Sequence, residues 1–491
     1  MTDKEDAVFD VAIIGGGVCG CSIARELSRF TLKTVLLEGG ADFGNGASRA
    51  NTAIIHGGYD PHPGTLKARF NREGLQLMYR LCAELGVEYK KTGSLVVAFN
   101  DEDEGVLHEL IERGKRNGVG EGLRIVESRD ELLKLEPGLS TDARSALLAE
   151  DAGIVCPYGL TFALADNASL NGVEFRRNFD VSSIRRVDGD SGFFEILKDG
   201  LNDYVRAQVV INAAGANCER IAKTAGAWLR QSGSDSERTV FRRGEYLVLD
   251  KNFKGPARVL FATPTSAGKG ITVSPSVSGN TLVGPASRIV EDGLENQTSA
   301  EGLDESILGG KKLYPAVCSR DVIALFAGVR SILSPSDDFL IEESRNVSGF
   351  INVAGIQSPG LTSAPSIAKH VVSELVGAHF DLKENVSFAP GKRGSAKHGR
   401  DGEEKQGSPF RMICRCEHVS ENEVIQSLEG PCGARTVNGV KLRTRAGMGR
   451  CQGGFCSPKV AVMLSKELGT GLECVTLDGA GSEILSGGKT K

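Results

Sequence analysis

Apolar residues in this chain come first as short unbroken runs and later as alternating or helical patterns. Val8–Ile14 (VFDVAII) has the length and β-branched content of a buried strand. A glycine-rich turn follows over 15–20, and then a stretch to residue 30 with helix-like composition (CGCSIARELSRF). Residues 34–38 (TVLLE) form a second strand-like run, completing one βαβ unit. Residues 42–64 are rich in Gly, Asn, Ser and Pro and read as a long loop; residues 65–86 have helical periodicity. Short strand-like runs fill 173–214. Further runs at 241–249, 258–261, 271–275 and 281–284 predict an antiparallel sheet separate from the first. Residues 349–355 (GFINVAG) predict another buried strand, and 362–377 a helix.

Pieces of one α/β domain therefore flank an antiparallel stretch. The pattern predicts a Rossmann-like domain built from 1–85, 150–220 and 340–378, with an inserted α+β domain over 86–149 and 221–339. Residues 389–408 are nearly devoid of apolar side chains, so 379–408 reads as a linker. A small module follows over 409–477, and 478–491 reads as a disordered tail. There is no internal repeat.

At 491 residues the chain has room for two or three domains. Its 62 glycines suit an α/β protein with many tight turns. A net charge of −5 argues against nucleic-acid binding and against a basic membrane-facing patch. The start, MTDKEDAVFD, has no basic and apolar leader, and no 18-residue apolar run exists, so no membrane span is expected. Twelve cysteines in a chain this long do not make a disulfide scaffold, which points to a reducing, cytoplasmic setting. Any membrane association would be made through partner subunits.

Two groups of residues carry chemistry. Gly15-x-Gly17-x-x-Gly20 follows a strand and opens a helix, with Glu38 at the end of the next strand. The first Gly makes the turn, the second admits backbone amides to a pyrophosphate, and the third lets helix and strand pack closely. Glu38 can accept from a ribose hydroxyl. This fingerprint predicts a dinucleotide without separating FAD from NAD. Near the other end, Cys414-x-Cys416 pairs with Cys451-x4-Cys456. Four such thiolates can hold a [2Fe–2S] cluster or zinc, and the tight CxC spacing fits the cluster better. Cys432, in GPCGAR, could substitute as a ligand but reads as a turn cysteine; Cys474 is not expected to ligate.

Four separated segments then point to a family: GASRANTAIIHGGYDPHPGTLKARF (46–70), GKGITVSPSVSGNTLVGP (268–285), FAGVRS (326–331) and GIQSPGLTSAPSIA (355–368). They resemble the FAD-dependent glycerol-3-phosphate dehydrogenases and oxidases of the D-amino-acid-oxidase-like superfamily, and their relatives that oxidise L-2-hydroxyglutarate. The cysteine module, with RAGMGRCQGGFC, resembles the bacterioferritin-associated-ferredoxin-like [2Fe–2S] domain that ends the A subunits of anaerobic glycerol-3-phosphate dehydrogenases. The resemblance implies an FAD cofactor spanning the first domain. Ser48, Asn51 and Thr52 would lie along its pyrophosphate and flavin, and Val181 would meet the adenosine end. Gly215 would line the cleft, and Gly360, Leu361 and Thr362 would reach the flavin ring.

Oxidising a secondary alcohol needs a hydride acceptor, a base for the hydroxyl proton, and cations to hold an anionic substrate. His56, at the family's His position in NTAIIHGG, is the candidate base; a structural histidine or a covalent flavin attachment point are the alternatives. Arg330 matches a family arginine near the flavin and suits bidentate recognition of phosphate or carboxylate. The alternative for it is an ordinary ion pair. Lys269 is either a substrate or flavin contact or an exposed loop lysine. His62, Lys67, Arg69 and Arg243 are further basic residues in matching segments. Arg49 stands where the family motif has lysine, so the charge is kept. The expectation is an enzyme that oxidises sn-glycerol 3-phosphate, a small anion, and passes electrons through the cluster to electron-accepting subunits or quinone. A 2-hydroxy-acid dehydrogenase of the same fold, and a non-catalytic flavin and iron–sulfur electron-transfer subunit, are the alternatives.

Overall fold

The computed structural model describes residues 8–187, 192–200, 203–227, 229, 238–264, 270–391 and 411–485. Lys269, residues 392–408 of the expected linker and residues 486–491 of the expected tail lie outside them.

Val8–Ile14 is strand β1, Val18–Leu27 helix α1 and Thr34–Leu37 strand β2. β1 pairs in parallel with β2 and with the Tyr204–Asn212 strand, which pairs in parallel with Phe350–Ala354. Helices cover such a sheet on both faces, so its strands appear in the sequence as runs rather than alternations. Val181–Val187 and Phe193–Lys198 extend this sheet as antiparallel strands. The predicted helix over 65–86 is α2, Leu66–Leu85. Thr65 caps its start, its hydroxyl oxygen accepting from the Ala68 N–H at 3.2 Å, and Gly86 ends it in the left-handed region at φ 60°. Helix α3, Pro157–Leu170, packs against α1.

The second sheet holds eight strands. Its long members are β3, Arg238–Leu249, and β4, Val322–Ser334, paired antiparallel. It departs from a purely antiparallel sheet at one place, where Val259–Ala262 pairs in parallel with Ser94–Ala98. These two strands come from separate stretches of chain, so no hairpin dictates their direction. The helix expected over 362–377 is α4, Gly360–His370, continued by a π-helical turn, Val371–Val376. α2 and α4 touch so closely that a Cβ at Gly74 would lie 2.1 Å from the Thr362 carbonyl oxygen.

The C-terminal module packs Ile413, Val424, Leu428, Val437, Val440, Val460 and Leu464 into its own core. Its helices include α5, Val437–Thr444, and α6, Ser457–Leu468. A capping box between Ser420 and Glu423 starts the helix before them. The tail departs from the expected disorder over 478–485. Asp478 accepts from Arg49 (3.0 Å) and Asn438 (2.8 Å), and the Leu477 N–H donates to the Ser482 carbonyl at 2.8 Å, so its polar groups are satisfied in place.

The module is seated on loops and a helix that flank both sheets. Arg443 makes a two-pronged contact to Asp42 (2.5 and 2.8 Å) and lies over the Phe162 ring at 3.8 Å. Arg450 donates to Asp250 at 3.0 Å, and Lys251 to Glu417 at 2.7 Å. Asp42 and Arg443 are 4% and 11% exposed, so removing one partner strands a buried charge. Arg443→Ala is therefore expected to cost about 3–5 kcal/mol. Faster hydrogen exchange across 411–477, with the exchange of β1 and β2 unchanged, is the measurement; an unaltered exchange pattern would count against the contact as an anchor.

Candidate active site

The dinucleotide end is built from backbone. Gly15 adopts φ +109°, and a Cβ there would lie 2.5 Å from the Ala213 carbonyl oxygen; at Gly20 it would lie 1.9 Å from that of Gly15. Gly17 precedes α1 and faces the Ser48 hydroxyl, 3.2 Å from where its Cβ would stand. The result is a side-chain-free cradle at a helix N-terminus, which fits a pyrophosphate. Glu38 accepts from the Gly16 N–H through one oxygen and from the Gly40 N–H through the other, each at 2.7 Å. Burial pushes its carboxyl above the usual range, against those two bonds. Each oxygen keeps a second lone pair for a ribose hydroxyl.

The loop expected along the cofactor folds back onto α1. The Ser48 hydroxyl oxygen accepts from the Val18 N–H at 2.9 Å. Asn51 donates to the Ala47 and Ser48 carbonyls and accepts from the Ala53 N–H, stapling the loop; Thr52 is half-buried beside it. The Val181 carbonyl accepts from Arg220 at 2.9 Å. Gly215, at φ +59°, has open space where a Cβ would stand, and its carbonyl accepts from Ser331 at 3.4 Å, beside Arg330. Gly360, Leu361 and Thr362 form the first turn of α4, whose N–H groups lack intrahelical acceptors.

His56 is held from three directions. Its N–H donates to the Thr362 hydroxyl at 2.9 Å, and its carbonyl accepts from Asn71 of α2 at 3.0 Å. Its Nε2 lies 3.1 Å from the Ser358 hydroxyl. The ring borders a small cavity of about 20 Å³ shared with Asp60 and Phe261. Thr362, expected at the flavin, thus also positions the candidate base. Ser358 escaped the sequence reading: it lies inside GIQSPGLTS, where Ser-Pro reads as a turn.

Arg330 stands on β4. Burial pushes its guanidinium below the usual value; Tyr246 opposes that shift and Arg242 adds to it. Its Nε is buried without a hydrogen-bond partner among the described residues. The strand carrying it meets the cofactor loop, since a Cβ at Gly328 would lie 2.3 Å from the Ala50 carbonyl oxygen. An orphaned cation facing that loop fits an anionic ligand. Other basic residues of the matching segments are engaged: Lys67 with Asp337 (3.1 Å), Arg69 with Glu73 (3.2 Å) and Arg243 with Glu245 (3.0 Å).

Among the described residues no three His, Cys, Asp or Glu side chains converge on a single-ion site. The cysteines stand instead as couples. Cys416 and Cys451 are 3.6 Å apart, and the free thiols of Cys456 and Cys414 are hydrogen-bonded to each other. Each couple also feels a thiol of the other, so the four stand as one group, which fits a [2Fe–2S] cluster held by four thiolates. Burial works to raise the Cys451 thiol, but Cys416 and the N–H groups of Gly453, Phe455 and Gly454 outweigh it and lower it. Burial and Cys414 push Cys456 up to about 12, the cost of crowding thiols that a metal would relieve. Cys432 takes no part in either couple. It lies with the first domain's core, buried near Arg177 and Arg443, and burial raises it to about 12. Cys474 is exposed.

Comparison with known proteins gives the family. The model of the FAD dependent oxidoreductase family matches residues 10–374, and that of the BFD-like [2Fe-2S] binding domain matches 412–466. A glycerol 3-phosphate dehydrogenase of Caloramator mitchellensis is 39% identical over 488 residues, 98% of each chain. A glycerol 3-phosphate oxidase of Mycoplasma genitalium is 34% identical, over 78% of this chain and 97% of its own. Among solved structures, the FAD-bound L-alpha-glycerophosphate oxidase of Mycoplasma pneumoniae superposes with a TM-score of 0.73 at 30% identity, over 78% of this chain and 98% of its own. The chain belongs to the FAD dependent oxidoreductase family and carries a BFD-like [2Fe-2S] binding domain at its C-terminal end.

Proposed function

We propose that this protein oxidises sn-glycerol 3-phosphate at C2 to dihydroxyacetone phosphate and delivers the electrons through its cysteine module to a partner protein. The observation that carries the reading is that His56, a few residues beyond the Ser48–Thr52 loop and tied to Thr362, and Arg330, whose Nε has no partner among the described residues and whose strand meets Ala50 of that loop, belong to one neighbourhood. Identity to the Caloramator glycerol 3-phosphate dehydrogenase over both modules supports it. When bound, FAD supplies the two-electron acceptor. His56 takes the hydroxyl proton, with Ser358 orienting its ring. Arg330 holds the phosphate, and Lys269 is assigned to the same anion. The fingerprint glycines, Glu38, Ser48, Asn51, Thr52, Val181, Gly215 and the first turn of α4 are assigned to the cofactor. Residues 1–85, 150–220 and 340–378 are assigned to its domain, and 86–149 and 221–339 to the substrate cap.

A relay role for Cys414, Cys416, Cys451 and Cys456 is supported by the seating of their module. Lys441 feels the charges of both Arg49, in the cofactor loop, and Cys456. A protein acceptor is supported by Phe455, 81% exposed beside Cys456, with exposed Arg415 and Lys459 nearby. Among the described residues no helix is long and apolar enough to cross a membrane, so membrane contact would fall to such partners.

Anaerobic titration with glycerol 3-phosphate tests the reading. Bleaching of the flavin band is expected. A band that stays until dithionite is added would turn the assignment to L-2-hydroxyglutarate, and then to a non-catalytic electron carrier. Cys451→Ser is expected to lose iron and its broad absorbance while retaining flavin. Unchanged iron content would remove Cys451 from the ligand set.

A further inference from the structure

β3 and β4 pair so that Arg242 lies directly opposite Arg330. Side chains opposite one another in an antiparallel pair share a face, their Cβ atoms about 4.5–5.5 Å apart. The same register puts Gly244 opposite Gly328 and Tyr246 opposite Phe326, the two rings stacked at 4.8 Å. Gly328 is the residue that touches Ala50. This face of the sheet is therefore turned toward the loop carrying Ser48, Asn51 and Thr52.

Two like charges directly opposite each other destabilise a sheet. Neither arginine is in an ion pair among the described residues, and the buried Nε of Arg330 has no acceptor. The acid whose charge Arg330 feels, Asp337, is held by Lys67 at 3.1 Å and Gln357 at 2.6 Å. Two half-buried guanidiniums with no counter-charge among the described residues make a seat for a dianion. A phosphate monoester has three terminal oxygens and close to two charges, enough for two planar donor forks. A carboxylate has two oxygens and one charge, and a single arginine satisfies it.

We propose that Arg242 and Arg330 together bind the substrate's phosphate, and that Arg242 makes the site select a phosphate monoester over a 2-hydroxy acid. This assignment rests on the glycerol 3-phosphate reading above and deepens it. Arg330 alone would serve either substrate.

The test uses the FAD- and iron-loaded enzyme, with Arg242→Gln and Arg242→Lys variants. Inorganic phosphate is titrated in and followed by the flavin spectrum and by calorimetry, and glycerol 3-phosphate kinetics are measured beside it. Arg242→Gln is expected to weaken phosphate binding about 10–100-fold, the range for a hydrogen bond between charged groups. kcat/KM should fall by a similar factor, carried mainly by KM. Arg242→Lys is expected to recover part of the loss. Phosphate affinity and KM unaltered in Arg242→Gln would overturn the proposal, as would a loss that follows only a lowered melting temperature. If Arg242→Gln does not fold, Arg242→Lys decides: wild-type phosphate affinity together with wild-type KM would sink the idea. The two readings fail separately. Wild-type enzyme that binds phosphate through Arg242 but is not reduced by glycerol 3-phosphate keeps the phosphate seat and loses the substrate. Wild-type enzyme that is reduced, with Arg242→Gln unaffected, keeps the substrate and loses Arg242.

Discussion

His56→Ala is expected to slow substrate-driven flavin reduction by about 10²–10⁴-fold, the usual contribution of a positioned general base. The fold should tolerate the change. The backbone of His56, not its ring, joins α2 and α4, through Asn71 and Thr362, and alanine keeps both bonds. The ring is half-buried and borders a cavity, so its removal leaves little packing to lose. Stopped-flow reduction under anaerobic conditions is the direct reading, with flavin content and melting temperature as controls. Ser358→Ala should show a smaller loss in the same assay, because the base remains but its ring loses a partner at 3.1 Å. A His56→Ala protein reduced at the wild-type rate would remove His56 as the base while leaving the enzyme assignment standing.

The second large effect concerns the cofactor cradle. Gly20→Ala would place a methyl 1.9 Å from the Gly15 carbonyl oxygen, backbone against side chain with no rotamer to relieve it. Overpacking costs about 1–3 kcal/mol where side chains can move, and more is expected here because only α1 or the turn itself can give way. Since the turn is also the proposed pyrophosphate seat, Gly20→Ala should be isolated without flavin and with a lowered melting temperature. Gly17→Ala is the graded comparison. Its methyl would meet only the Ser48 hydroxyl, at 3.2 Å, so the fold should survive while flavin binding weakens. The ratio of flavin to protein absorbance separates the two. Iron content serves as an internal control, because the C-terminal module has its own core. Equal flavin loading in Gly20→Ala and wild type would contradict the fingerprint role given to this glycine.

The legible features of this chain were local ones. The first βαβ unit was readable because a sheet covered on both faces demands apolar runs, and because a tight turn onto a helix demands glycine. Helix α2 was readable from its periodicity, and its caps, Thr65 and Gly86, lie at the edges of the periodic stretch. The cysteine spacing was legible as a cluster motif because its signal is carried by short intervals. The family resemblance then pointed to His56, which follows the Ser48–Thr52 loop in the chain, and to Arg330, whose strand meets that loop at Ala50.

What stayed hidden depends on residues far apart in the chain. Sequence could not show that Arg242 faces Arg330, since strand register is set by the pairing of whole strands. Nor could it show that the Ser358 hydroxyl meets His56, that Arg443 closes on Asp42, or that Cys432 packs into the first domain's core. The tail illustrates the same limit: 478–491 reads as a disordered end, and Asp478 at its start is held by Arg49 and Asn438. By itself the sequence determined the elements, the cofactor cradle and the cysteine motif, because short-range sterics and periodicity specify them. Only the tertiary structure decided which charges face each other and which polar groups are satisfied. Those outcomes depend on burial and long-range pairing, which no single segment encodes.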